Sequence, residues 1–400
     1  MSSGASAASS VGPRRALLGS VAGVCLLGLL GFAHETIIQP VLPLVVLRAG
    51  GDAAFIGLLV AAYGIPTILL RPLIGRALDT WSHAGIQRGS ALLIAAAPLG
   101  YLLPLGAITL AVRGLQGLGW AGYGAGAHAL LAKIAPVGRR GEASGYYNAT
   151  HALAILVGPA AGLWLFQNAG AHTPFLLASA VGFAGLLVSL RLRFPGSERD
   201  RHPVLSDGVI GGIFERSAIV PMVLVAAFQS VQSLFLIFAP VYATATGIPI
   251  ESLALYYPIY GIVILFGQLT LGRVSDRCGR RNTLIGGNAI AALGVGTVAL
   301  VGGLEGLVLG ASLYGVGNAL VTSTLGATTI DGARPGRIGA ATATYSLGYQ
   351  LGASVGGALW GVLISTAGFP WPFLAGSVVI ASCVVATRAL VRPMPRGQAT

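Results

Sequence analysis

Apolar runs of about 20 residues recur along the whole of this 400-residue chain, separated by short polar turns. A helix of about that length crosses the hydrocarbon core of a bilayer, so the pattern predicts an all-α integral membrane protein. Twelve spans are predicted: 17–46, 53–76, 89–105, 107–132, 143–167, 173–192, 218–245, 252–274, 283–301, 305–330, 339–367 and 370–391. The only long polar stretch, 193–216, divides them six and six. The predicted organisation is a tail (1–15), a six-helix bundle (16–192), a linker (193–216), a second six-helix bundle (217–391) and a second tail (392–400). Arg14-Arg15 followed by Ala16–Leu30 imitates a signal peptide, but the apolar run continues to Val46, too long for a cleavable segment, and reads as a retained first helix.

The halves are related. Tyr63-Gly64-Ile65, then Gly75-Arg76 and Asp79, return as Tyr260-Gly261-Ile262, Gly272-Arg273 and Asp276, each 197 residues later. At an offset of 198, Leu115, Gly117 and Gly119 return as Leu313, Gly315 and Gly317, and Tyr147 as Tyr345. Parallel duplication of a helical membrane unit is a transporter architecture, with the substrate path between the halves.

Composition narrows the class. With 54% hydrophobic and only 9% charged residues, the chain is far from a soluble domain, which carries roughly 25% charged residues. The net charge of +12 does not indicate nucleic acid, because the charges sit in turns between apolar runs and form no basic face. They set orientation instead. Of 24 Lys and Arg, all but Arg48, Arg71 and Arg113 fall in the tails, the linker and the turns after even-numbered spans, which predicts that these segments and both termini are cytosolic. A single Lys, Lys133, in a chain rich in Ala, Gly and Arg is read as a bacterial coding bias, placing the protein in the inner (plasma) membrane. The three cysteines have no metal spacing, and no nucleophile–base set, phosphate loop or cofactor motif is visible, so neither an enzyme nor a metal protein is expected.

The turn motifs carry a resemblance. Gly272-Arg273-Val274-Ser275-Asp276-Arg277-Cys278-Gly279-Arg280-Arg281 resembles the loop signature G-x-x-x-D-R-x-G-R-R of the major facilitator superfamily. Gly75-Arg76-Ala77-Leu78-Asp79 is its first-half counterpart, but Thr80-Trp81-Ser82-His83 departs from the basic continuation. Arg113-Gly114-Leu115-Gln116-Gly117-Leu118-Gly119 resembles the fourth-helix motif R-x-x-Q-G-x-G. Gly145, Gly158-Pro159 and Gly162 resemble the fifth-helix antiporter motif, with Ala154 and Leu163 where Gly is expected. The resemblance covers residues 16–391 and implies the major facilitator fold of two pseudo-symmetric six-helix bundles. Its degenerate fifth-helix motif favours the drug or metabolite:proton antiporters over importers. The charged turns are then expected to act as conformational switches.

Glu35 is the one acid inside a predicted span and Arg113 the one Arg deep within one. An ionisable group at that depth costs several kcal/mol and marks function. Counted at about 1.5 Å per residue, Glu35 lies about 5 Å and Arg113 about 9 Å outward of mid-span, on oppositely running helices. In the resembled family those helices are adjacent and line the cavity. A Glu35–Arg113 pair is therefore predicted, with proton coupling and permanent packing as its two readings. His34 and His151 also fall near mid-span and are candidate proton relays or packing residues. Gln39 follows Glu35 by one helical turn and is a candidate for substrate contact. Pro40 and Pro43 are expected to bend the outer end of span one. Arg71, beside Pro72, reads as snorkelling to the interface.

The second half offers uncharged polar and aromatic groups. Gln229, Gln232, Phe235, Asn318, Tyr345 and Tyr349 are candidates for the substrate wall, with interhelical hydrogen bonding as the plainer reading. A cavity of this character suits a small amphipathic organic molecule. The expected activity is export of a drug or metabolite in exchange for protons, by alternating access of a monomer in the bilayer. Symport or facilitated import, and a non-transporting membrane receptor or assembly partner, remain the alternatives.

Overall fold

The computed structural model describes residues 13–80, 82–135, 140–192, 194, 215–271, 274–334 and 337–391, and these are helical almost throughout. Residues 1–12, the second tail and nearly all of the linker lie outside the described residues, and Pro13–Arg15, predicted as tail, begin α1. The helices are α1 (Pro13–Arg48), α2 (Ala53–Thr80), α3 (His83–Ala96), α4 (Ala107–Ile134), α5 (Arg140–Asn168), α6 (Thr173–Arg191), α7 (Ile219–Leu236), α8 (Ala239–Thr246), α9 (Leu253–Leu271), α10 (Val274–Cys278), α11 (Arg280–Val301), α12 (Gly303–Asp331), α13 (Ile338–Ala367) and α14 (Trp371–Leu390). Ten are long and apolar enough to cross a membrane. Helix α4, and α3 with the 3₁₀ turn Ala97–Leu102 that prolongs it, complete six spans in the first half. The second half has α7 continued by α8, then α9, α11, α12, α13 and α14.

Two spans differ instructively from the reading by hydropathy. Helix α3 starts at His83, six residues before the predicted span. Ser82 caps it, accepting from the Gly85 amide (3.1 Å). Its first turns carry His83 and Gln87, which are polar yet buried inside the half, His83 bonding the Gly126 carbonyl (3.0 Å). Hydropathy does not report a helix start whose polar groups are sheltered by protein. The predicted seventh span is broken at Ile237–Phe238, between α7 and α8. Pro240 has no N–H to continue the ladder, and the Phe238 amide reaches back five residues to the Ser233 carbonyl (3.1 Å). By contrast α1 stays helical through Pro40 and Pro43.

Within each half the helices pack pairwise, α1 on α5 and α6, α2 on α4, α3 on α4 and α6 in the first, and α7 on α13, α9 on α12, α11 on α12 and α14 in the second. The halves meet along α2–α13 and α5–α9, with α1 touching α8. These two main seams are one contact repeated. Gly64 of α2 packs on Ser354 of α13, and Gly261 of α9 packs on Leu156 of α5. The glycines are 197 apart and their partners 198, so the duplicated sequence builds a duplicated interface. At both points a Cβ would overlap the facing helix, which is why glycine is used.

The end of the molecule poor in Arg is tightly closed. A Cβ at Gly57 would sit 3.0 Å from the carbonyls of Gly357 and Ala358. Asp52 then bridges the halves. Its carboxylate caps α2 by accepting from the Phe55 amide (2.9 Å), and its other oxygen accepts from the Ser365 hydroxyl of α13 (2.9 Å). These two bonds hold the exposed Asp52 carboxyl below the usual carboxylate range. A depressed folded pKa contributes stability above the ordinary Asp value of about 4, and that contribution is lost as pH falls through the folded value. Asp52→Asn is therefore expected to lower the thermal unfolding temperature of the detergent-solubilised protein at pH 7 and to lose that effect at a pH below the folded value of Asp52, where wild type is itself protonated. An equal loss at both pH values would contradict this.

Candidate functional site

Glu35 and Arg113 are paired directly, Arg113 Nη2 donating to Glu35 Oε1 at 3.0 Å. Both are buried, at 8% and 4% exposure, where an unpaired charge would cost several kcal/mol. The pair sits in a larger network whose polarity is fixed by its donors. Gln116 Oε1 accepts from Arg113 Nη1 (2.8 Å) and from the Tyr101 hydroxyl. With its oxygen committed to those two donors, the amide nitrogen points the other way. It donates to Glu35 Oε2 (3.1 Å) and meets His34 Nε2 at 2.9 Å. His34 Nε2 must then accept, which leaves the ring proton on Nδ1, donated to the Ala178 carbonyl (3.1 Å). The guanidinium also lies over the Tyr63 ring, 4.4 Å from its centroid.

Local packing explains how these groups converge. Gln116 stands one turn after Arg113 on the same face of α4. Tyr101 comes from the 3₁₀ turn that ends α3, and Tyr63 from α2, held close because Gly117 of α4 rests against the Tyr63 backbone. The Thr67 hydroxyl bonds the Gly117 carbonyl (2.9 Å) at that crossing. On the other side Gly158 and Gly162 of α5 face Thr36 and Ile37 of α1, with no room for a Cβ at either. The Thr36 hydroxyl donates to the Ala154 carbonyl (3.0 Å), so the two motif glycines and Ala154 fix α1 against α5. Pro159 lies within an unbroken α5, and Gly145 faces open space rather than a helix.

A small cavity, with room for about one water molecule, opens beside the pair. It is lined by Gln39, Arg113, Leu42, Pro43, Ile56, Leu59 and Val60 of the first half and Ile237 of the second. Arg113 Nε and Gln39 Oε1 are buried without protein partners, one donor and one acceptor at the same cavity. His151 is apart from this network, its ring tilted against Phe32 with centroids 4.5 Å apart.

The second-half candidates are largely enclosed by protein. Gln229, Gln232, Asn318 and Tyr345 are buried, and Tyr349 is half-buried with its hydroxyl 3.3 Å from that of Tyr345. Phe235 is fully buried, stacked on Tyr314 (4.8 Å) and Tyr260 (6.2 Å), and so belongs to the core of this conformation rather than to an open wall.

Of the charged turns, Gly75, Arg76 and Asp79 lie in the last turns of α2, but their side chains are outside the described residues, as is that of Asp276 in α10. Gly272 and Arg273 are outside them altogether. Arg277 is exposed. Arg280 donates to Ser275 Oγ and to Asp331 at the end of α12 (Nε–Oδ2 3.2 Å). Arg281 donates to the Arg388 carbonyl in the last turn of α14 (2.9 Å). The motif thus knits α10, α12 and α14 within the second half. Gly279, between α10 and α11, has φ +83° and ψ 146°, a region open essentially to glycine alone. Gly279→Ala is expected to destabilise the protein by about 1–3 kcal/mol, read from its thermal unfolding. An unshifted midpoint would show that the turn relaxes freely.

Sequence reasoning gave no site role to Gln116, Tyr101 or Tyr63, although Gln116 stands in the fourth-helix motif and Tyr63 in the repeat. Gln116 had a visible signal, its position three residues after a buried Arg. Tyr101 and Tyr63 had none, since nothing local tells which face a tyrosine presents.

Two related helical bundles with a buried charge network near their seam define a membrane transporter rather than an enzyme, with a small-molecule substrate and the bilayer as its partners. The chain belongs to the Major Facilitator Superfamily, whose family model matches residues 24–268 and 222–400. It is 26% identical over 305 residues to the class G tetracycline resistance protein of Vibrio anguillarum, covering 68% of this chain and 71% of the relative. Solved structures share the fold. A bacterial homologue of the human lysosomal transporter Spinster aligns with a TM-score of 0.77 at 16% identity, over 96% of this chain and all of that one. A point mutant of the nucleoside transporter NupG aligns at 0.71 and 15%, over 93% of this chain and all of that one. The human organic anion transporter MFSD10 aligns at 0.68 and 16%, over 94% of this chain and all of that one.

Proposed function

We propose that the protein exports a small amphipathic organic molecule from a bacterial cell in exchange for protons, working as a monomer by alternating access. The Arg-rich end, with both termini, faces the cytosol, and the Asp52–Ser365 end faces outward. The observation that carries this reading is the Glu35 carboxylate, buried near mid-span between the Arg113 and Gln116 donors, with a small, mainly apolar cavity beside Arg113 and Gln39. Glu35 is the proton carrier and Arg113 its counter-ion. Arrival of a proton cancels the carboxylate charge, and the Arg113 guanidinium, still held by Gln116, turns its unmet charge toward the cavity and Gln39. Departure of the proton restores the pair. Substrate and proton thereby compete for one state of the network, which is the requirement for exchange.

Gln229, Gln232, Asn318, Tyr345 and Tyr349 supply polar contacts from the second half. The α10 turn keeps that half rigid as it rocks, and the α1–α5 glycine contact does the same for the first. A relative that confers tetracycline resistance supports export of a drug-like molecule, since export gives that phenotype. The test is tetracycline movement in inverted vesicles with an imposed pH gradient. Accumulation driven by an acidic interior supports exchange. Accumulation only when the gradient is reversed would instead establish symport.

A further inference from the structure

Arg71 crosses from α2 to the other half, where its Nη1 lies 3.4 Å from the Ser346 carbonyl of α13. That contact is long, and the acceptor is a mid-helix carbonyl. Among the described residues no carboxylate pairs with Arg71, although a guanidinium offers five donors and a charge at this depth demands compensation. One helical turn beyond the Thr67–Gly117 crossing, Arg71 of α2 and Trp120 of α4 stand at the same level. Tyr147 and His128 lie within electrostatic reach of Arg71. The His128 ring is exposed and stands edge-on to Tyr147 at 4.5 Å. Phe32 continues the wall, packing on Tyr147 (5.7 Å), Trp120 (5.3 Å) and His151 (4.5 Å), and Phe32, Trp120 and His151 are each only half-buried.

We propose that Arg71 and this aromatic wall form a subsite for a planar aromatic molecule bearing an anionic group, a carboxylate or an ionised phenol or enol. The inference rests on the transport reading above and names its substrate class. The anion completes the unpaired guanidinium, and the ring stacks on Phe32 and Trp120, so charge and aromaticity are recognised side by side. The site lies toward the Arg-rich end of the seam, apart from the Glu35–Arg113 network. His151, which that network does not use, here forms part of the wall.

The probe pair is 1-naphthoate and 1-naphthamide, alike in shape and different in charge, with binding measured by equilibrium dialysis against purified protein at pH 7.5. Naphthoate is expected to bind at least about tenfold more tightly than naphthamide. In Arg71→Gln the preference should fall below about twofold while naphthamide binding stays unchanged, which also shows that the variant is folded. Trp120→Ala should weaken both probes alike. Glu35→Gln should keep the preference, so that a failure of proton coupling and a failure of this subsite are read separately. Equal binding of the two probes, no saturable naphthoate binding, or a preference that survives Arg71→Gln would each overturn the proposal. Loss of the preference in Arg113→Gln alone would place the anion at the other cation and overturn it as well.

Discussion

Glu35→Gln is expected to abolish gradient-driven transport, by about a hundredfold or more, while leaving a folded protein. Glutamine keeps the shape and one acceptor oxygen, so Arg113 Nη2 retains a hydrogen bond where Oε1 now accepts at 3.0 Å. The second oxygen receives Gln116 Nε2 at 3.1 Å, and an amide nitrogen placed there would meet a donor. The substitution therefore costs one bond and the ability to titrate, and leaves Arg113 without its counter-charge. The expected signature is loss of uphill movement with substrate equilibration down its own gradient intact. Glu35→Ala is expected to be harsher, since leaving Arg113 buried without a partner costs about 3–5 kcal/mol, and the protein should unfold at lower temperature. If Glu35→Gln vesicles accumulate tetracycline as well as wild type does under the same pH gradient, Glu35 is a packing residue and proton coupling lies elsewhere.

The second large effect is expected at the seam between the halves. Gly57→Leu introduces a side chain where a single Cβ already meets the carbonyls of Gly357 and Ala358 at 3.0 Å and the Cα of Gly361 at 3.1 Å. Backbone cannot yield as a flexible side chain can, so α2 and α13 must part at the Asp52–Ser365 end. Each half remains intact, because this contact lies between them. Transport should fall at least about tenfold while the unfolding temperature falls no further than in Asp52→Asn, since the population of one closed state is what is lost. The readout is thiol labelling of Val60→Cys, at a position 8% exposed and covered by Gly357, in a background lacking the three native cysteines. Faster labelling in Gly57→Leu is expected, and unchanged labelling would refute the assignment of this seam as a moving closure. Gly117→Leu is the control. Gly117 rests on the Tyr63 backbone within the first half, so the same insertion should destabilise folding itself, by about 1–3 kcal/mol or more.

These two sites differ in how far they could be read from residues alone. The Glu35–Arg113 pair was legible because depth along a helix follows from counting residues, and because charges inside apolar runs are few. Its completion by Gln116, His34 and Tyr101 was not, because that depends on the azimuth of three helices about their axes. His34 and His151 look alike in sequence, each a lone histidine near mid-span. Only packing sends one to Gln116 and the other against Phe32. Phe235 and Tyr349 were both candidates for the cavity wall, and the stack with Tyr314 and Tyr260 claims the first for the core. Arg71, by position a snorkelling residue, instead reaches across the seam to α13.

The sequence by itself determined the membrane class, the twelve-span count, the duplication and the turn motifs, since each depends on composition, run length or fixed spacing along one chain. The 197- and 198-residue offsets relate the α2–α13 seam to the α5–α9 seam, but which helices meet is seen only in the folded chain. Tertiary structure alone decided the rest. It set which glycine faces which carbonyl, which donors surround Glu35, and which end of the seam is closed by Asp52 and Ser365. Those outcomes depend on rotations and translations of whole helices, and in a bilayer, where lipid and protein interior are equally apolar, hydrophobic pattern does not fix them.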